Sequence, residues 1–178
     1  EIGNENYGDW EAGYRINTTT NQDFQPAIVT GALYGQHFKQ FADSMRKAAQ
    51  EIGKTIYIGA VLSETAPQPW MTPTTQQWNT GVLTNGGALA DFFIVHNYYT
   101  DYHTNANAAT ILATPQAVTQ SMMTWVKQSL SGAGLAEKPI ALTEWNIFST
   151  GSKQQVSHIN GLHGIMVIGE ALNNKFGM

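Results

Sequence analysis

Two glutamates carry side chains suited to paired acid–base work: Glu5 in Gly3-Asn4-Glu5-Asn6 and Glu144 in Leu142-Thr143-Glu144-Trp145-Asn146. Each stands just past a predicted strand end. Cleaving a glycosidic bond takes one carboxyl group held protonated, to release the leaving oxygen, and another kept ionised, to attack or to activate water. Different surroundings set the two pKa values apart, and neither a metal nor a cofactor is needed. Glu144 directly follows an apolar run, where an unpaired carboxylate is costly, so function outweighs a plain surface charge there. Glu5 alone reads as a solvated loop charge, and it gains weight from Asn4 and from its partner.

Other candidates gather at the same kind of position. His96 ends the run Asp91-Phe92-Phe93-Ile94-Val95-His96-Asn97-Tyr98-Tyr99, two residues before Tyr98. A satisfied core histidine is the bland reading, and the strand-end position favours the site. Trp70, between Pro69 and Met71 in a long loop, either stacks on a sugar face or packs the loop. Trp145 adjoins Glu144 and is open to both roles, whereas Trp125 and Trp78 fall on helical stripes and read as core. His103, His158 and His163 form no His-x-x-x-His pair with an acid on one face, so no metal site is predicted. Thr18-Thr19-Thr20-Asn21-Gln22 reads as a solvated loop.

The elements that must position these groups alternate along the chain. Apolar residues at Tyr34, Phe38, Phe41, Met45, Ala48 or Ala49 and Ile52 predict a helix stopped by Gly53, and Thr55 to Leu62 reads as a buried strand. Pro73 opens a second helix through Leu83, ended by Gly86-Gly87. After the strand at 91–99, Thr114 and Pro115 read as the cap and first residue of a third helix that carries Val118, Met122, Trp125, Val126 and Leu130. Lys138 to Asn146 is a further strand, and a helix from about Lys153 to Lys175 closes the chain. Strict alternation implies a parallel sheet of the α/β class, either an eight-fold barrel or an open doubly wound sheet. Both put ligands at the carboxyl ends of strands, where the candidate residues lie.

Composition narrows the partners. With 178 residues, 42% of them hydrophobic, the chain suffices for one globular domain. A net charge of -4 without any basic run argues against nucleic acid, and no stretch approaches the ~18 apolar residues of a membrane span. No glycine-rich phosphate loop follows a strand, which counts against nucleotides. Charged residues make up only 12%, with Thr, Asn and Gln supplying the polarity. Such a surface suits uncharged, hydroxyl-rich ligands and leans towards a secreted or periplasmic protein. The lack of Cys excludes disulfides, thiolate metal sites and a Cys nucleophile.

An Asn-Glu pair after one strand, His-x-Tyr at a later strand end and Thr-Glu-Trp-Asn after another resemble the fourth, sixth and seventh strands of clan A retaining glycoside hydrolases. Glu1-Ile2-Gly3-Asn4-Glu5, Leu142-Thr143-Glu144-Trp145-Asn146 and the last helix, Asn160 to Val167, most resemble the α-L-arabinofuranosidases and related polysaccharide hydrolases. The resemblance implies a (β/α)8 barrel, a neutral plant or algal carbohydrate as substrate, and no cofactor. It makes Glu5 the general acid/base and Glu144 the nucleophile. Asn4 would bind the hydroxyl beside the reacting carbon, Tyr98 would hold Glu144, and His96 would touch sugar or support the nucleophile. Endo-acting relatives of the agarase or xylanase type, and a non-catalytic sugar-binding barrel, are the rivals. An intact barrel takes about 250 residues. Residues 1–178 are therefore expected to be an incomplete barrel, running from the end of strand four to the helix after strand seven, with little activity alone.

Overall fold

The structure is a computed structural model that describes residues 1–20 and 24–177. Helix α1 (Gly31–Glu51) starts three residues before the expected point, because the Thr30 side chain accepts from the Leu33 N–H and caps it. It ends as predicted at Gly53, whose φ of 65° lets the Gly53 and Lys54 N–H groups return to the carbonyls of Gln50 and Ala49. Its buried stripe is Tyr34, Phe38, Ala42 and Ala49, and the expected Phe41, Met45 and Ile52 face outwards. Strand β1 (Gly59–Val61) is shorter than 55–62, since Thr55 and Tyr57 lie exposed ahead of it.

The expected second helix is two: α2 (Pro73–Gln76), capped by Thr72, and α3 (Trp78–Asn85), with Gln77 between them. Strand β2 (Phe92–Tyr98) leads to helix α4 (Ala108–Gly132). Thr114 and Pro115 do not open α4, whose cap is Asn107, accepting from the Thr110 N–H. Pro115 lies buried inside the helix, where its missing N–H leaves the Ile111 carbonyl without the usual donor. The Thr114 hydroxyl donates to that carbonyl at 2.8 Å, which explains why the helix runs through. Strand β3 (Ile140–Asn146) and helix α5 (His158–Asn173) follow, the helix starting later and ending earlier than expected. The chain also does not stop in its last helix, because β4 (Phe176–Gly177) adds a further strand beside β3.

All four strands are parallel in the order β1-β2-β3-β4, and Ile2 makes a parallel bridge to Ala60 on the far side of β1. The α/β alternation is thus realised, with the first strand reduced to one bridge. Phe93, Val95, Ile140 and Leu142 join Met122 and Val126 of α4 in the core, while Ile94, His96 and Tyr98 alternate to the opposite face. No helix among the described residues is long and apolar enough to cross a membrane.

Lys138, at the entry to β3, anchors the sheet from below. Its ammonium donates to the carbonyls of Gly87 (3.0 Å), Ala88 (2.9 Å) and Ala90 (2.5 Å), capping the 3-10 turn that leads into β2. Lys138→Met leaves three carbonyls without their donor. A loss of about 1–3 kcal/mol is expected in urea unfolding, and an unchanged midpoint would deny the anchor any weight.

Candidate active site

Glu5 sits in a tight loop directly after the Ile2 bridge, at a φ of 42°, a left-handed conformation uncommon for a residue with a side chain. The loop is fixed from several sides. Tyr34 donates its hydroxyl to the Ile2 carbonyl (2.5 Å) and accepts from the Val61 N–H (3.0 Å), and the Thr75 hydroxyl donates to the Tyr7 carbonyl (2.7 Å). So held, the Glu5 carboxylate has the Trp10 indole N–H on Oε2 (3.1 Å) and His96 Nδ1 beside Oε1 (3.1 Å).

The opposite wall comes from β2 and β3. Their register runs Val95↔Leu142 and then His96↔Glu144, so Thr143 is an extra residue and both Thr143 and Glu144 stand against His96. The Thr143 hydroxyl is 3.1 Å from His96 Nε2, and Glu144 Oε2 is 3.6 Å from Nδ1. Two residues on, the Tyr98 hydroxyl donates to Glu144 Oε1 at 2.6 Å. The His96 ring, only 5% exposed, is shared between the two walls, and one ligating atom each of Glu5, His96 and Glu144 lies within 4.8 Å of the others. Those donor types also suit a divalent cation, a possibility the histidine spacing did not suggest.

Charge follows geometry. The hydrogen bond to Glu5 raises the His96 pKa, helped by the nearby Glu1 and Glu144 charges. The same bond, with that of Trp10, holds the Glu5 carboxyl below its ordinary value against the opposing effect of burial. Two donors thus favour the ionised form of Glu5. The bond to Glu144 pushes Tyr98 up to about 12. A lowered Glu5 stabilises the fold above its unfolded pKa of about 4.3 and loses that effect as pH falls through its lower folded value. A raised His96 stabilises below about 6.5 and loses the effect as pH rises through its higher folded value. The pair therefore contributes most between about pH 4.3 and 6.5. His96→Gln is expected to flatten the Tm profile across pH 4 to 8, and superimposable profiles would remove the ion pair.

Asn4, Glu5, Trp70, His96, Tyr98 and Glu144 all line one cavity of about 640 Å³. Trp70 is 74% exposed at its rim. Trp145 does not join them and is corrected as a candidate: alternation turns it to the helix side, where its ring lies against Gly164 of α5. Trp78 is fully enclosed and Trp125 partly so. His163 is buried beside Thr114 and Tyr99, away from the cavity. Thr18 to Thr20 form an exposed turn, and Asn21 and Gln22 lie outside the described residues. Residues not anticipated in the cavity include Trp10, Tyr7 and Glu64. Glu64 carried a readable signal, since it follows the apolar run ending at Leu62 just as Glu144 follows its own.

No family model matches the chain, nor does any curated protein. Among solved structures, it is similar over 98% of its length to the α-L-arabinofuranosidase of Thermotoga maritima in its arabinose complex, with a TM-score of 0.67 and 21% identity. The likeness is one of fold, that of part of a (β/α) barrel. A family 51 α-L-arabinofuranosidase from Bifidobacterium longum aligns with a TM-score of 0.57 and 17% identity, and one from Thermotoga petrophila with 0.52 and 22%, each over 98% of this chain. The chain spans 31% to 35% of the length of these arabinofuranosidases. Its parallel strands and alternating helices are a part of the (β/α) barrel, which decides between the two architectures left open by the sequence.

Proposed function

We propose that the chain is the catalytic part of a retaining glycoside hydrolase, most like an α-L-arabinofuranosidase, acting on a neutral plant or algal carbohydrate. One observation carries this reading: Glu5 and Glu144 bring carboxylate oxygens within 4.8 Å of each other across the cavity. Retaining chemistry uses carboxyl groups about 5–5.5 Å apart, and an inverting pair needs roughly 6.5–9.5 Å to admit water. Likeness of fold to arabinofuranosidases supports the sugar class, and Asn4 and Trp70 at the cavity suit a hydroxyl-rich ligand.

In the first step a Glu144 oxygen attacks the anomeric carbon while the bond to the leaving oxygen breaks and Glu5 supplies that oxygen with a proton. In the second, Glu5 takes a proton from water, which attacks the same carbon and frees Glu144. The Tyr98 hydroxyl holds the Glu144 carboxylate in place by donating to it. Glu5 obtains its proton from His96. A sugar filling the cavity expels water, the Glu5–His96 ion pair becomes costly, and the proton shifts from Nδ1 to Oε1 across 3.1 Å. The low share of charged residues supports a secreted or periplasmic setting.

The test is stereochemical. The full product of the gene is given 4-nitrophenyl α-L-arabinofuranoside, and the first-formed sugar is followed by NMR. Retention of the anomeric configuration is expected, and inversion overturns the mechanism. Sugar binding without cleavage of the arabinoside, xylan or agarose would establish a binding barrel instead, and cleavage of xylan or agarose alone an endo-acting enzyme.

A further inference from the structure

The end of β1 is held more firmly than a three-residue strand requires. The Trp78 indole donates to the Val61 carbonyl (3.0 Å), the Asn79 amide accepts from the Ser63 N–H (2.7 Å) and donates to its carbonyl (2.9 Å), and the Trp125 indole reaches the same carbonyl (3.2 Å). Trp78 and Asn79 are themselves buried. The residue on this rigid mount is Glu64, which lines the same cavity as Glu5 and Glu144 and has no part in the two-carboxylate reaction. Tyr7 donates to its Oε2 (3.2 Å) and Thr65 to its Oε1 (3.2 Å). The Glu64 backbone N–H bonds the same carboxylate. A carboxylate accepts in about four directions, so one is left for a sugar hydroxyl. Burial, with the Glu5 charge nearby, pushes the Glu64 carboxyl up.

We propose that Glu64, held by Tyr7 and Thr65, is a binding subsite for a sugar hydroxyl and so helps set which sugar the cavity accepts. The proposal rests on the glycoside hydrolase reading. It is tested on the full gene product with 4-nitrophenyl α-L-arabinofuranoside and its 2-deoxy and 3-deoxy counterparts, using E64Q, Y7F and E144Q. Loss of one hydrogen bond to a charged group corresponds to about 10- to 100-fold. E64Q is expected to raise KM for the parent sugar by that factor with kcat nearly unchanged, and to lose discrimination against at least one deoxy sugar. Y7F should shift KM the same way by less. An equal KM change for parent and both deoxy sugars would make Glu64 merely structural, and no change would also overturn the subsite. If E144Q is inactive while E64Q matches the wild type, the subsite alone fails. If E144Q keeps full turnover, both readings fall. Should E64Q not fold, equal KM values of the wild type for all three sugars would overturn the subsite unaided.

Discussion

Glu144→Ala in the full gene product slows cleavage of an activated arabinofuranoside by about 10⁴- to 10⁶-fold, the scale on which other enzymes lose a nucleophile. The loss is this large because the groups that flank Glu144 are poor replacements for the attacking carboxylate. Glu5 is tied to His96 and Trp10, and a tyrosine hydroxyl, with an ordinary pKa of about 10, stays protonated and a poor nucleophile at neutral pH even after Glu144 is gone. Removing the carboxylate vacates a space beside the anomeric carbon that a small anion can fill. Azide should therefore restore part of the turnover and appear on the product with inverted configuration. The readouts are release of 4-nitrophenol and NMR of the azido sugar. Unchanged turnover in the alanine variant would remove Glu144 from the chemistry.

The largest effect on stability is expected at Trp78. Its side chain is fully enclosed, its ring centroid lies 5.0 Å from that of Tyr34 and 6.0 Å from that of Tyr7, and its N–H holds the Val61 carbonyl. Trp78→Ala removes a large aromatic body from between α1, α3 and β1 and leaves a buried acceptor without its donor. Such truncations cost about 3–5 kcal/mol, against a total domain stability of about 5–15 kcal/mol. Trp78→Phe keeps most of the volume and isolates the hydrogen bond, so its loss should be nearer 1–2 kcal/mol. Urea unfolding of both variants gives the two numbers. A small effect in the alanine variant would mean that the centre of the fold lies elsewhere.

The alternation of apolar runs and amphipathic stretches was enough to read the α/β class, because each strand buried between helices must be apolar and each helix must show one stripe. Details failed where a side chain did what backbone rules assign to the main chain. Thr114 and Pro115 look like a helix start, and only the hydroxyl on the Ile111 carbonyl lets the helix run through them. On α1 the choice between neighbouring stripes was settled by what the sheet covers, so Phe41 and Met45 ended outside. At the site, the rule that polar residues at strand ends meet in one opening located Glu5, Glu144, Asn4, His96 and Tyr98, which the structure brings to one cavity. Glu64 obeyed the same rule and was hidden by the Pro-rich loop behind it. The charge on Glu5 was not readable, since it depends on two partners, Trp10 and His96, one of them 91 positions away.

The extra residue at Thr143 changes what one strand can deliver. In a regular ladder consecutive side chains point to opposite sides, so a single strand end can offer an opening only every second residue. By slipping half a pleat, β3 offers two in succession, a hydroxyl to one nitrogen of His96 and a carboxylate to the other. The hydroxyl fixes the far nitrogen of the imidazole, and the nitrogen that bonds Glu5 is thereby turned so that Glu144 also stands near it. One ring atom thus faces both acids at once.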